Sequence, residues 1–579
     1  MNNKSQTDQA SDKLSTRCSA NIRTAASLDS KKTKKQFLKN VGSGWLAVAA
    51  NALIGVFLLP INLHYLGKEV YAITVLAASI IAVLSYLNFG LGPTLLRFFS
   101  IAIAENDCQK IKRLSSTTQF LTGALGLIGA IIFMACFPWF CETYKIGPEL
   151  RFPTFFLFCA LAVEFWETFY LMTFSAILQG YQRFDLLNLL RCLAVVLRVV
   201  LLIVFYQFFW RSLISFAIVS LIVVTIRIVF IIHGAHKYSK KACRFSWKEV
   251  DFSVKKDGLL AKLLSFSSLA FLNNICYGMS IQLPALIIGK ELGKSAVADF
   301  SVALTIANFL SHILIAISAP LAPLASLDAQ QGRKRLGSWA TSISLVGSCI
   351  GYAAILILCV LGRDWITVWL GESFAWTISI VVVIAWGIVL GSVQNANYNL
   401  AIGADSIAPV AWSSLVMMIL VTVGTWLGLH YRHECWSFLG RHIELPQVDT
   451  HFAGLLGVAF LIGGVRFLRN VIYLSYSYSK RFNYDYWRYL YIVYLSPFIG
   501  VAVVWGLWYF TLGQVDFTPL QDAFLRVVHK ERFALLFVTT LKTAVLGIAF
   551  VAYCWFLVLP KAVKDPLTDV VRRKLLSKR

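Results

Sequence analysis

The chain has 579 residues; 58% are hydrophobic, 14% are charged, and the formal net charge is +24. A soluble chain carries about 25% charged residues, so a set of water-soluble domains is excluded and a membrane-embedded chain is expected. The positive charge does not point to nucleic acid. Lys and Arg gather in alternate loops and at both tails, as in chains that keep their basic loops in the cytosol.

Residues 1–36 are rich in Ser, Thr, Lys and Asp and hold no short apolar stretch ending in a cleavage site. They predict a disordered basic cytosolic tail rather than a secretory signal. Lys31, Lys32, Lys34, Lys35 and Lys39 close that tail and pin the first apolar run. A bilayer core about 30 Å thick takes roughly 20 apolar helical residues to cross, and about fourteen such runs follow. Six of them, near 39–63, 70–92, 114–140, 153–179, 186–208 and 211–233, predict an N-terminal lobe over 37–233. A basic cytosolic connector takes 234–262. Six more, near 263–289, 296–325, 338–361, 374–402, 407–429 and 452–475, predict a C-terminal lobe over 263–475. An additional pair, near 488–511 and 533–559, falls within 476–559, and a basic cytosolic tail takes 560–579. The fold class is therefore an all-α integral membrane protein, and an even number of spans keeps both termini cytosolic.

The second six runs echo the first. Leu66-Gly67-Lys68 joins the first and second spans, and Leu292-Gly293-Lys294 joins the seventh and eighth. Pro93-Thr94-Leu95-Leu96 and Pro320-Leu321-Ala322-Pro323 follow the matching span pairs. Six spans per half give both halves the same orientation, so the two lobes are pseudo-symmetric about an axis along the membrane normal.

A charge at mid-bilayer costs at least a few kcal/mol and needs a reason. Glu164 and Glu167 lie mid-span three residues apart, hence on one helical face. Counting from the turn near Arg183 places Arg198 level with them, so an ion pair between neighbouring spans is available. It could fix helix register, or leave one group facing a water-filled cavity for anion binding or ion coupling. Arg191 lies on the face of Arg198 nearer the cytosol. Arg191 and Arg227 could bind in the cavity or carry their heads to the interface. Arg466 is deeper than Arg469, which is expected to reach the interface. Uncharged polar residues cluster at Asn273 and Asn274, at Asn308 and His312 on one face, and at Gln394, Asn395, Asn397 and Asn399 beside Tyr398. Amides either bond sugar hydroxyls or join helices. The last group goes all round a helix, so some of it is expected to reach water.

Little other chemistry presents itself. The twelve cysteines are scattered, with no CxxC pair. His430, His433, Cys435, His442 and His451 share the loop 430–451 but form no established ligand pattern, so no metal is expected. Gly293-Lys294-Ser295 lacks the upstream glycine of a phosphate-binding loop. No cofactor is expected.

The run Leu59-Pro60, then Tyr65-Leu66-Gly67-Lys68-Glu69-Val70-Tyr71, then Asn88-Phe89-Gly90-Leu91-Gly92 up to Arg97 resembles the bacterial polysaccharide biosynthesis proteins. These are the O-antigen and lipid-linked oligosaccharide flippases of the multidrug/oligosaccharidyl-lipid/polysaccharide exporter superfamily. The resemblance is clearest over roughly 37–240 and continues as span layout to about 475. It implies two six-helix lobes in a V around a central cavity, with an extra helix pair. It also implies a transporter rather than an enzyme, in the inner membrane of a bacterium. The cargo would be a polyprenyl-pyrophosphate-linked oligosaccharide, carried by alternating access for surface polysaccharide assembly and coupled to a proton or sodium gradient or to the membrane potential. Partners would be the lipid-linked glycan, the bilayer and polymerase machinery, with no nucleic acid.

Only Arg97 lies within the resembling motif. There two Gly and a Pro are expected to break the helix and present the guanidinium at the mouth between lobes. Many relatives have Asp where this chain has Asn88, so an acid role there is not carried over. From their burial, Arg191, Arg198, Arg227, Asn273, Asn274, Asn308, His312, Gln394, Asn395 and Asn397 are further cargo-binding candidates, and Glu164 and Glu167 are ion-coupling candidates. The rival readings are a cation-coupled multidrug antiporter of the same superfamily, a membrane-embedded glycan polymerase or ligase, and a non-transporting scaffold.

Overall fold

The computed structural model describes residues 55, 57–88, 91–105, 107–239, 245–247, 250, 268–318, 336–403, 408–431, 450–511, 518–519, 521 and 531–560. The expected N-terminal tail, most of the connector, most of the histidine-bearing loop and residues 561–579 of the C-terminal tail lie outside the described residues. Among the described residues there is no strand, and thirteen helices are long and apolar enough to cross a membrane. Hydrocarbon offers no partner to a peptide group, so a chain this apolar must close its hydrogen bonds within helices.

The N-terminal lobe contains α1 (Phe57–Asn88), α2 (Leu91–Ala104), α3 (Cys108–Ala135), α4 (Phe137–Thr143), α5 (Pro148–Gly180), α6 (Phe184–Phe208) and α7 (Leu213–Tyr238). The C-terminal lobe contains α8 (Ser268–Glu291), α9 (Lys294–Ser318), α10 (Leu336–Leu370), α11 (Ile378–Ser392), α12 (Asn395–Gly403), α13 (Ala408–His430), α14 (Thr450–Phe467) and α15 (Ser475–Phe482). The additional pair comprises α16 (Tyr486–Leu490), α17 (Ser496–Phe510) and α18 (Glu531–Tyr553). Local signals place the boundaries. Asp107 accepts a hydrogen bond from the Lys110 amide at the start of α3, Ser212 does the same for Ile214 at α7, and Pro148 opens α5.

The count of thirteen has a specific cause. Within α1, Gly67 takes φ 76°, a left-handed turn that a side chain would resist. Gly293, its counterpart between α8 and α9, takes φ 91°. Residues 57–66 are thus the described end of the first expected span, and the second begins at Lys68. The helical stretch before it ends at Asn88, and α2 begins at Leu91 inside the segment expected to break, with Pro93 as its third residue; a first-turn position needs no amide donor, so the proline is tolerated. Arg97 is therefore helical, and its side chain lies outside what is described.

Stripes of exposed apolar residues at helical spacing, such as Leu189, Leu193, Val196 and Val200 on α6 and Val416, Ile419, Leu420 and Val423 on α13, form the lipid-facing surface. Inside the C-terminal lobe α11 and α14 cross so closely that a Cβ on Gly387 would come within 2.3 Å of the Gly463 carbonyl oxygen. One apolar core runs through both lobes near the two Leu-Gly-Lys turns, joining Leu66 and Leu76 to Ile288, Leu292 and Val297. A second core joins Tyr352, Ile355 and Val389 of the C-terminal lobe to Tyr489, Val493, Leu546 and Phe550. The additional pair therefore packs on the C-terminal lobe, where Trp365 also donates to the Thr543 hydroxyl at 2.9 Å.

Candidate functional site

In the N-terminal lobe the mid-membrane charges form a file. Arg198 on α6 donates to Glu164 on α5 at 2.6 Å, as the count from the intervening turn predicts. One helical turn along α5, the Glu167 side chain is 0% exposed, and its oxygen lies 3.2 Å from Nε of Arg227 on α7. That ion pair lacks hydrogen-bond alignment, and both Glu167 oxygens are buried without a donor. Arg227 therefore does not carry its head to the interface: the carboxylate holds it inside the lobe. Arg191 is exposed and, among the described residues, has no carboxylate partner.

Two cavities border this file and share Thr168. One, of about 460 Å³, is lined by Asn62, Ser85, Glu164, Arg198 and, from the opposite lobe, Thr305. The other, of about 430 Å³, is lined by Leu96, Gln179, Arg191 and Arg227. Leu96 directly precedes Arg97 in α2. Three guanidiniums and Glu164 thus line the two adjoining spaces while Glu167 lies buried behind Arg227, so among the described residues here the cations exceed the carboxylates by one.

In the C-terminal lobe a cavity of about 210 Å³ is lined by Asn273, Asn274, Gln394, Asn395, Tyr398 and Arg469. The chain turns at Val393 and Gln394 between α11 and α12, and Asn395 donates back to the Ser392 carbonyl at 2.8 Å. Gln394 also donates to Ser475 at 2.6 Å and to Tyr494 at 3.0 Å. Asn397 is wholly buried, donating to Gln394 at 2.7 Å and to Tyr489 at 3.0 Å. Of the four amides expected to surround this helix, Gln394 and Asn395 line the cavity, Asn397 joins helices, and the Asn399 side chain lies outside what is described. Asn273 does both: it lines the cavity, donates to Tyr398 at 3.2 Å and accepts from Ser414 at 2.6 Å. Asn308 is half-buried and His312 exposed on α9, and neither lines these three cavities.

Arg469 departs from the interfacial position expected of it. It does not reach the interface but is 8% exposed, donating to Ser413, Ser414, the Val410 carbonyl and Asn470. Arg466 is 0% exposed, stacks 4.6 Å from the Tyr277 ring and donates to Ser280 at 2.8 Å. Its Nε and Nη1 have no hydrogen-bond partner. Among the described residues neither arginine has a carboxylate partner. The sequence-level signal was two arginines three apart in one apolar run with no acid beside them.

The model of the family described as polysaccharide biosynthesis protein matches residues 37–326. The chain belongs to that family. No curated relative matches it by sequence. A structure of the lipid II flippase MurJ in an inward closed conformation is similar at 12% identity, TM-score 0.60, over 88% of this chain and 97% of that one. An inward-facing multidrug resistance MATE family transporter of the MOP superfamily is similar at 14% identity, TM-score 0.59, over 75% and 96%. An outward-facing one is similar at 14% identity, TM-score 0.51, over 77% and 96%. At such identities the likeness is one of fold, and it bears out the all-helical, two-lobed membrane architecture.

Proposed function

We propose that the chain is a flippase that carries a polyprenyl-pyrophosphate-linked oligosaccharide across a bacterial cytoplasmic membrane, for O-antigen, capsule or exopolysaccharide assembly. The observation that carries this is the file of Arg198, Arg191 and Arg227 along two adjoining cavities between helices long and apolar enough to cross a membrane. A sugar chain cannot cross hydrocarbon without a hydrated path, because each hydroxyl would lose its water. Arginine matches a phosphate bidentately, and the amides of the C-terminal cavity suit sugar hydroxyls. Family membership supports the polysaccharide link. The loop charges support cytosolic termini, and the same machinery would hand the glycan to a polymerase. The protein is a transporter, not an enzyme.

In this reading Glu164 and Glu167 hold the guanidiniums while the cavity is empty, and an arriving diphosphate competes for Arg198 and Arg227. A carboxylate as buried as Glu167 that loses its cation is left uncompensated, and taking up a proton lowers that cost without abolishing it. Cargo binding would thereby be tied to a proton gradient. A drug antiporter that attracts cationic cargo is less well served, since both carboxylates are already paired.

The test uses the chain in liposomes with a fluorescent polyprenyl-diphosphate oligosaccharide, and cells scored for surface glycan. Arg97→Ala and Arg198→Ala, at unchanged protein level, should abolish transfer and trap precursor on the cytosolic side. Normal transfer in both removes the role given to these arginines. A Glu164→Gln, Glu167→Gln double variant should lose the pH dependence of transfer; an unaltered profile removes the coupling claim.

A further inference from the structure

The two Leu-Gly-Lys turns do more than mark the repeat. Each turn glycine has a positive φ and delivers the following lysine as the first residue of the next helical leg. Lys68 of the N-terminal lobe reaches Asp299 on α9 of the C-terminal lobe, at 3.1 Å. Lys294 of the C-terminal lobe reaches back to Glu69 of the N-terminal lobe, at 3.6 Å. The exchange is reciprocal: each lobe gives one lysine and receives one. The lysines correspond in the repeat but their acceptors do not, since Glu69 aligns with Ser295 and Asp299 with Ile73. Repetition of the motif therefore accounts for the cations and not for the pairing. The acid on each side is a separate feature of the sequence, placed where it meets the other lobe's lysine.

The contacts around these pairs also cross between lobes. Lys68 Nζ lies 4.0 Å from the centre of the Phe374 ring of the C-terminal lobe. Tyr144 of the N-terminal lobe donates to the Leu286 carbonyl of α8 at 3.2 Å. Gly289 on α8 is packed so closely that a Cβ there would stand 2.7 Å from Leu76 and 2.9 Å from Tyr144. Asp299 is nearly sheathed, its side chain 6% exposed, so its pairing with Lys68 is shielded from solvent.

We infer that Lys68–Asp299 and Lys294–Glu69 form a two-point clasp that holds the lobes together at the end bearing the Leu-Gly-Lys turns. The cavity opens at that end only when the clasp is broken. The seam has an apolar floor, Leu66, Leu76, Ile288 and Val297, that excludes water, and the charged pairs close its rim. Because the pairs bridge the lobes rather than staple either one, breaking them changes the balance between conformations more than the folding of a lobe.

The experiment reads that balance without any cargo, so its failure would leave the flippase proposal standing, and failure of cargo transfer would leave the clasp standing. A thiol is introduced by Thr74→Cys on the wall of the 460 Å³ cavity, near the clasp. Right-side-out and inside-out vesicles holding the full chain are treated with a membrane-impermeant maleimide, and labelling of the residue-74 peptide is followed by mass, so the native cysteines can stay. Lys68→Glu should raise the rate from the side the clasp faces by about five- to thirty-fold, the effect of losing one partly buried pair on a two-state balance, and not from the other side. Adding Asp299→Lys to Lys68→Glu should restore the parental rate. Gly289→Val, which wedges the seam without touching a charge, should shift labelling in the same direction. The milder Lys68→Gln provides the same reading should the reversal fold poorly. Unchanged labelling in Lys68→Glu and Lys68→Gln overturns the clasp, and so does a charge swap that fails to restore it.

Discussion

In the N-terminal lobe Arg198 and Arg227 lie 2.6 and 3.2 Å from carboxylates, whereas in the C-terminal lobe Arg466 and Arg469 are buried among hydroxyls, an amide, a carbonyl and an aromatic ring. Both solutions keep a guanidinium inside a membrane protein, but they differ in what removal leaves behind. Taking away Arg227 strands Glu167, whose two buried oxygens have no hydrogen-bond donor. Taking away an arginine held by neutral groups strands nothing charged. The N-terminal pairs can also be exchanged, since a second anion can replace the carboxylate. The C-terminal arginines instead set a standing positive potential beside the amide-lined cavity.

The largest effect is expected at Arg227. Arg227→Met leaves Glu167 buried and unpaired, at a cost of about 3–5 kcal/mol, and should lower the thermal unfolding midpoint in detergent sharply. Adding Glu167→Leu should recover most of the loss; no recovery would mean that the pair is not what matters at that site. Next in size is Asn397→Leu. It removes donors from Gln394 and Tyr489 at the seam with the additional pair and should cost about 1–3 kcal/mol, read as faster proteolysis near 483–486. Equal protease resistance would show that the amide does not tie the pair to the lobe.

Arg466→Met tests the other side of the comparison. With no carboxylate to strand, the change should fall within about 1 kcal/mol of neutral, and a gain in stability is consistent with replacing a buried charge by an apolar chain of similar volume. A loss as large as that from Arg227→Met would show that the two lobes do not differ in this respect. The smallest effect belongs to His312→Ala. An exposed side chain away from the cavities should alter stability by under about 0.5 kcal/mol and leave cargo transfer unchanged; a transfer defect would return it to the site.

Particular residues show how far the sequence could be read. Arg198 opposite Glu164 was legible because a tight turn between two antiparallel spans fixes their register, and counting from it is a one-dimensional operation. The destination of Arg227 was not, because Glu167 lies two spans away in the chain, and nothing in the spacing says which neighbour α7 faces. Arg469 differs for a related reason: the expected span ends near 475, within its reach of the interface, whereas the helical span runs on to Phe482 and the approach of α13, with Ser413 and Ser414, gives the side chain partners inside. Asp299 is the one acid inside the run 296–325. It drew no notice because its partner lies across the repeat, 231 residues away.

Membrane class, the order of the apolar spans and the turns at Gly67 and Gly293 were legible from the chain alone. Hydrophobic length, loop charge and glycine's freedom at positive φ are local properties that need no knowledge of neighbours. The tertiary structure alone decided which buried charge meets which partner, which amides face a cavity and which join helices, and how the two turns clasp the lobes. Those outcomes depend on helix rotation and lobe packing, which involve residues that are distant in the chain and leave no mark on local spacing.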